Sequence, residues 1–420
     1  MTFSTDRSYA ETLDGADELA GFRDRFVRPD SDLIYLDGNS LGPLPFRTQA
    51  RIAEVVDQDW GVGLVRSWSS WIQMPRQAGE MVAEHLIGAA PGQVLVCDSV
   101  TVNLYKLAVA ALDAQSPGRT VIVTDDDNFP TDRYVLEGVA AQRGIELRMI
   151  GTDMDSGLSE QALAEALDDR VALVSLSHVA YRSGALADMP ALTERIHAAG
   201  ALALWDLCHS VGAVPVELDA AGADLAIGCT YKYVNAGPGA PAFVYVRGDL
   251  QERLRQPIWG WFGQRDQFAM GPSYDPAPDI DQFLTGTPNI IGTVAVEEGA
   301  RLLGEAGLPA LRAKSVALTS YLVALADEWL TPLGFTLASP RDEARRGAHV
   351  SLRHDDAWQI SQALIREKVI GDYRTPDRVR LGPVPIMTRF TDVYDAMETL
   401  RRIAADKSYA DIPLDQSRVT

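Results

Sequence analysis

Between residues 94 and 228, six short runs rich in β-branched and aliphatic residues recur: Val94–Cys97, Thr120–Thr124, Ile145–Ile150, Val171–Leu176, Ala201–Trp205 and Asp224–Gly228. Each interval between them is long enough for a helix. Two intervals, Val102–Leu112 and Gln161–Leu167, carry apolar residues at helical spacing. Strand–helix–strand alternation of this kind folds into a mainly parallel sheet covered by helices. After Gly228 the rhythm breaks. The stretch CTYKYVNAGPGAP leads directly to a seventh run, Phe243–Arg247. So short a crossover cannot join parallel neighbours, so this strand is expected to be antiparallel. The expected fold is therefore α/β, a mainly parallel seven-stranded sheet with one antiparallel strand.

Beyond about residue 300 the pattern is that of a smaller α+β unit. It has helices at Val316–Trp329, Trp358–Lys368 and Val393–Ala405, and strands near His349–Leu352 and Val379. The expected division is a large domain over 51–300 and a small C-terminal domain over 301–420. Residues 1–50 form an N-terminal segment at the interface of the two.

The balance of 38 basic against 58 acidic residues gives a formal charge of −20. That argues against nucleic acid and against anionic membrane surfaces as partners. No apolar run approaches the ~20 residues of a membrane helix, and the acidic start has no signal-peptide pattern. Three cysteines without CxxC spacing suggest neither disulfides nor zinc. The expectation is a cytoplasmic protein with no metal site.

The motifs of dinucleotide folds, P-loops, zincins and GxSxG hydrolases are absent. The informative stretch is WDLCHSVGAVPVELDAAGADLAIGCTYKYVNAGPG, residues 205–239. Asp206 falls at the carboxyl end of one strand and Lys232 just beyond the carboxyl end of the next. In an open α/β sheet such ends converge on the ligand crevice. A lysine amine and an acid in one crevice suit pyridoxal phosphate (PLP): the amine forms an imine with the aldehyde, and the acid keeps the ring nitrogen protonated. A random lysine would more often sit in a surface ion pair. This chain has only five, at 106, 232, 314, 368 and 407, and Lys232 lies in a Gly/aromatic loop. Lys106, inside a helical pattern, reads as a solvated or phosphate-side residue.

Seven segments in order resemble the kynureninase family of fold-type-I PLP enzymes: YLDGNSLGP (35–43), SVTVNLY (99–105), NFPTD (128–132), WDLCHSVG (205–212), YKYVNAGPG (231–239), GTPNI (286–290) and GDYRTPDRVRLGPVP (371–385). The resemblance spans nearly the whole chain and implies a PLP-transferase-like large domain. It implies that Val100 and Thr101 hold the phosphate where a helix opens, and that Phe129 stacks on the ring. Asp132, Ser177 and His209 would surround the cofactor, and Asp206 would pair with its nitrogen. Tyr231 would reach the phosphate and donate a proton to the β-carbon. Trp261 and Thr287 would come from a partner subunit, making a homodimer with a shared site. Asn39 and Ser40 would line the substrate site, and Arg380 would bind the α-carboxylate. Taken singly, Phe129 and Trp261 read as core, Thr101 as a helix cap, and Asp37-Gly38-Asn39 as a turn.

The implied reaction is hydrolytic cleavage of the Cβ–Cγ bond of L-kynurenine or 3-hydroxykynurenine. Its products are anthranilate, or the 3-hydroxy acid, and L-alanine, and Lys232 takes the α-proton. The segment RSWSSWIQMPRQ (66–77) is shorter than the family pattern, which leaves ring preference open, including a substituted kynurenine of secondary metabolism. Another fold-type-I lyase, a cysteine desulfurase or an aminotransferase are the alternatives. A desulfurase needs a reactive cysteine after the lysine, and none follows Cys229.

Overall fold

The computed structural model describes residues 3–28 and 30–414. The outermost ends of the expected N-terminal segment and C-terminal domain, 1–2 and 415–420, lie outside the described residues. Seven strands form the large sheet: β1 (Val94–Val96), β2 (Val121–Asp125), β3 (Glu146–Ile150), β4 (Val171–Ser177), β5 (Leu202–Asp206), β6 (Leu225–Gly228) and β7 (Phe243–Val246). Their order is β1-β7-β6-β5-β4-β2-β3. Strand β7 runs antiparallel to both neighbours and every other pairing is parallel. All six remaining strands therefore end at one edge of the sheet.

Strands β1, β2, β6 and β7 are buried along their whole length. Side chains alternate between two cores, as a period of two requires. Val121, Val123, Ala203, Trp205, Phe243 and Tyr245 enter one core, while Ile122, Leu204, Val244 and Val246 enter the other. Each fully buried aliphatic side chain contributes about 1.5–3 kcal/mol. Helix α1 (Met74–Val82) supplies Ala78 and Val82 to the first core, and α4 (Ile290–Ala306) supplies Val296 and Leu303. Helix α2 (Val100–Asp113) covers the second with Leu104, Leu107 and Ala111, beside α3 (Pro130–Arg143) with Leu136 and Val139.

The C-terminal region has its own core around α5 (Leu308–Leu325) and α6 (Phe390–Asp406). Its sheet is antiparallel, of β8 (Thr336–Leu337), β9 (Val350–Arg353), β10 (Asp372–Arg374) and β11 (Arg378–Leu381), in the order β10-β11-β9-β8. Helix α5 starts eight residues before the expected Val316. Gly307 ends the preceding helix at φ 79°, and Pro309 fits the first turn, where no N–H bond is lost.

The N-terminal chain stitches these regions together. Ile34–Tyr35 pairs in parallel with Val369–Ile370. Leu36 enters the C-terminal core, whereas Leu19 and Phe26 enter the core of the large sheet. Farther on, the Gly42 amide donates to the Tyr231 carbonyl at 2.8 Å. A Cβ on Gly42 would collide with the Lys232 carbonyl oxygen and with Asn235. Glycine is needed there for that close approach.

Candidate active site

The carboxyl edge of the sheet opens into a cavity of about 440 Å³. Val100, Thr101, Phe129, Ser177, Asp206, His209, Tyr231, Lys232 and Thr287 all line it. Topology accounts for the convergence. Ser177 and Asp206 terminate β4 and β5, and Val100 and Thr101 open α2 after β1. Phe129 precedes α3 after β2, and Lys232 follows β6.

Lys232 is buried, and its Nζ lies 2.9 Å from His209 Nε2. It sits 5.9 Å from the Phe129 ring centroid and 6.0 Å from that of Tyr231. Burial, then the neighbouring Lys232 charge, holds His209 well below the usual imidazole range, so its ring is neutral. Three lysines are buried. Lys106 pairs with Asp98 at 2.7 Å and Lys314 with Asp17 at 2.6 Å. Lys232 has no carboxylate partner among the described residues.

Asp206 accepts the Cys208 amide on Oδ1 at 2.7 Å. Behind it lies Asp132, fully buried, whose two carboxylate oxygens meet no donor. Burial first, and the adjacent Asp206 second, push the Asp132 carboxyl well above the usual carboxylate range. Two carboxylates buried together cannot both stay ionised, and Asp132 keeps the proton. Ser177 Oγ donates to Asn128 Oδ1 at 2.8 Å, and Phe129 meets Tyr181 edge-on at 5.3 Å. At the opposite end, Ser99 Oγ caps α2 by accepting the Val102 amide, so the first free N–H groups of a 14-residue helix face the cavity beside Thr101. Burial raises the Tyr231 phenol well above its ordinary value, with Cys229 and Cys208 adding to it, so the proton stays on oxygen at neutral pH.

Five residues picked out by resemblance do not line this cavity, Asp132 behind Asp206 being one. Arg380, Asn39 and Ser40 gather in an adjoining buried cluster with Asp372. It is joined to the cavity wall through Arg380 Nη1, which donates to the Tyr181 carbonyl at 2.6 Å. Trp261 is 43% exposed and packs edge-on against Phe262 at 4.4 Å, so it is not the buried anchor that its motif alone suggests. Thr287 lines the cavity of its own chain. None of residues 66–77 reaches the wall; Trp68 and Trp71 pack on each other at 5.4 Å.

For Lys106 the solvated alternative fails. It is fully buried, and besides Asp98 its Nζ donates to the Phe283 carbonyl at 2.7 Å. It ties the loop of Asp98 to that of Phe283 and is not solvated. Asp98 itself holds φ 47°, a strained conformation that this pairing and Thr285 stabilise.

Sequence reasoning also passed over His349, whose ring lies 5.4 Å from that of His209. It is fully buried, and neither ring nitrogen has a partner. A lone histidine before a strand carries no sequence signal for this. Asp372 was missed as well, although it stands inside the quoted segment 371–385.

The family model described as the kynureninase C-terminal domain matches residues 311–400. Kynureninase of Burkholderia pseudomallei is 46% identical over 404 residues, covering 94% of this chain and 95% of that protein. Kynureninase of Pseudomonas fluorescens is 45% identical over 413 residues, covering 97% of both. Among solved structures, the apo cysteine desulfurase of Thermococcus onnurineus NA1 superposes with a TM-score of 0.78 at 18% identity, covering 94% of this chain and 98% of that one. A C-DES variant with glycine covalently linked to its PLP cofactor gives 0.77 at 17%, covering 92% and 100%. At such identities these structures speak for the fold alone.

Proposed function

The chain belongs to the kynureninase family, and on that premise we propose that PLP is held in the cavity around Lys232 and that Lys232, Asp206 and Tyr231 carry the chemistry. The protein is a PLP-dependent hydrolase acting on the Cβ–Cγ bond of L-kynurenine, which yields anthranilate and L-alanine.

The residues present fit the cofactor. Asp206, its Oδ1 fixed by the Cys208 amide, is a carboxylate on the cavity wall at the end of β5, the kind of group a protonated ring nitrogen would need. Phe129, 38% exposed, leaves an aromatic face toward the cavity, and the start of α2 offers N–H groups to a phosphate. When bound, PLP supplies an aldehyde for the amine and an electron sink for the carbanion formed at the substrate.

Each protein group then has a task at a stated atom. Lys232 Nζ, freed by the substrate's own amine, takes the α-proton. His209 Nε2, neutral and 2.9 Å away, orients that amine as an acceptor. Asp206 would hold a protonated ring nitrogen, and Asp132, itself protonated, stands beside it. Arg380 takes the α-carboxylate, with Asn39 and Ser40 at its sides. Water adds to the γ-carbonyl, and the Cβ–Cγ bond breaks with its electron pair toward Cβ. The Tyr231 hydroxyl delivers a proton there and its oxygen recovers the one released by the hydrate, and Lys232 returns the α-proton to Cα as alanine leaves. A high phenol pKa suits that role, because the proton must be present when the carbanion forms.

The single observation that carries this reading is Lys232: a buried lysine without a carboxylate partner, in one cavity with Asp206. Lys232→Ala is expected to abolish both turnover and the visible absorbance of the bound cofactor. A variant that retained either would remove Lys232 from this role.

We also read the enzyme as a homodimer, with Trp261 contributing to the partner's site. In support, Trp60, Val62, Leu64 and Val65 on one segment, and Trp259, Phe268 and Met270 on another, are all more than half exposed. The cytoplasmic placement rests on three cysteines that are all unpaired; recovery from a secreted fraction would contradict it. A desulfurase reading is disfavoured because all three cysteines are buried.

A further inference from the structure

The arginine assigned to the substrate's α-carboxylate is itself held by a carboxylate. Arg380 on β11 and Asp372 on β10 are directly opposed in an antiparallel pair. Their side chains are 1% and 0% exposed. Two bonds join them, Nε to Oδ1 at 2.8 Å and Nη2 to Oδ2 at 2.5 Å. A carboxylate bound in this way occupies the side edge of the guanidinium. It leaves the outer edge, formed by Nη1 and Nη2, for a second carboxylate, which would displace Ser40 Oγ from the outward Nη2 proton.

That outer edge is framed by the site. Nη1 donates to the carbonyl of Tyr181, a cavity-wall residue, at 2.6 Å, and Nη2 to Ser40 Oγ at 3.0 Å. Asp372 Oδ2 also holds Arg374 Nη2 at 2.5 Å. Asp37, a second carboxyl facing the cluster, is pushed up to about 6 by burial first and Asp372 second. Asp372 is therefore the carboxylate that anchors both arginines. Burial works against the Arg380 charge, but Asp372 outweighs it and the net shift is upward.

We propose that Asp372 is a positioning residue for substrate recognition: by taking the Nε–Nη2 edge it fixes the plane of Arg380 and presents the Nη1–Nη2 edge to the α-carboxylate. This rests on reading Arg380 as the carboxylate-binding group. A long, flexible side chain loses rotamer freedom on binding, and a partner that fixes it beforehand removes that cost. Asp372 never touches the substrate, so its loss weakens recognition of one substrate group and leaves the chemistry at Lys232 alone.

The test uses the PLP-loaded enzyme with L-kynurenine as substrate and kynurenine α-carboxamide as competitive inhibitor. Asp372→Asn is expected to raise KM at least about tenfold, the scale on which supporting partners act, with kcat within about threefold. The inhibition constant of the carboxamide, which lacks the anionic group, should stay within about twofold of the parent value. An unchanged or lowered KM would overturn the proposal, the latter making Asp372 a competitor of the substrate. An equal rise for the carboxamide would overturn it too, in favour of a general structural role. Should Asp372→Asn fail to fold, Asp372→Glu keeps the charge but moves it by one methylene and must show the same KM-only defect; a parental KM there counts against the idea. Arg380→Ala separates the premise: if its KM is unchanged, the reading of Arg380 fails, whereas a raised KM there with a normal Asp372→Asn defeats only this inference.

Discussion

At the scale of single residues, the site runs on burial without full pairing. Lys232, His209, His349 and Asp132 are all buried, and each lacks partners that such groups ordinarily find. Asp37 shows the cost. Its carboxyl is raised to about 6 by burial, then by Asp372. A folded-state value above the unfolded one means that ionisation favours unfolding. Stability from the protonated form is present near pH 4 and lost as pH rises through 6. Asp37→Asn is therefore expected to gain stability over the parent between pH 4 and 6. The gain should be on the order of 2 kcal/mol above pH 6 and absent near pH 4. Denaturant melts at pH 4.5 and 7.5 read this directly, and an equal difference at both would refute it. Lys232 and Asp206 were legible in the sequence because strand ends fix where side chains converge. Lys106 was misread because helical spacing tells which face a residue occupies but not that its amine bridges two loops. Asp132 had a motif to mark it; His349 and Asp372 depend on strands brought together from distant parts of the chain.

Among the elements, the seven strands of the large sheet were readable from their aliphatic and β-branched runs, and the antiparallel β7 from the short loop before it. The two-residue pair Ile34–Tyr35 with Val369–Ile370 was not, since neither piece is long enough to show a period. Helix α4 was also missed, although Asn289, within the segment GTPNI, caps it by accepting the Gly292 amide at 3.0 Å. The segments around Val62–Val65 and Trp259–Met270 remain apolar and exposed. As parts of a dimer interface, they predict a sedimentation mass about twice 45.7 kDa. A monomer at micromolar concentration would leave them without an explanation and would remove Trp261 from any shared site.

For the whole molecule, we propose a division into 51–300 and 301–420 with residues 1–50 bridging them. The bridge matters to function because the segment 35–43 runs from the C-terminal core, past Arg380, to the loop of Lys232. Arg380 and Lys232 are thus held by different sheets and joined by one strip of backbone. Against a formal charge of −20, a substrate carboxylate and a phosphorylated cofactor must be held by such local donors and not by the overall field. The measurement that bears most directly on the account is product analysis of the PLP-loaded protein incubated with L-kynurenine. It predicts alanine and anthranilate in equal amounts, lost together in Lys232→Ala; kynurenine consumed without alanine, with pyridoxamine phosphate accumulating instead, would contradict it.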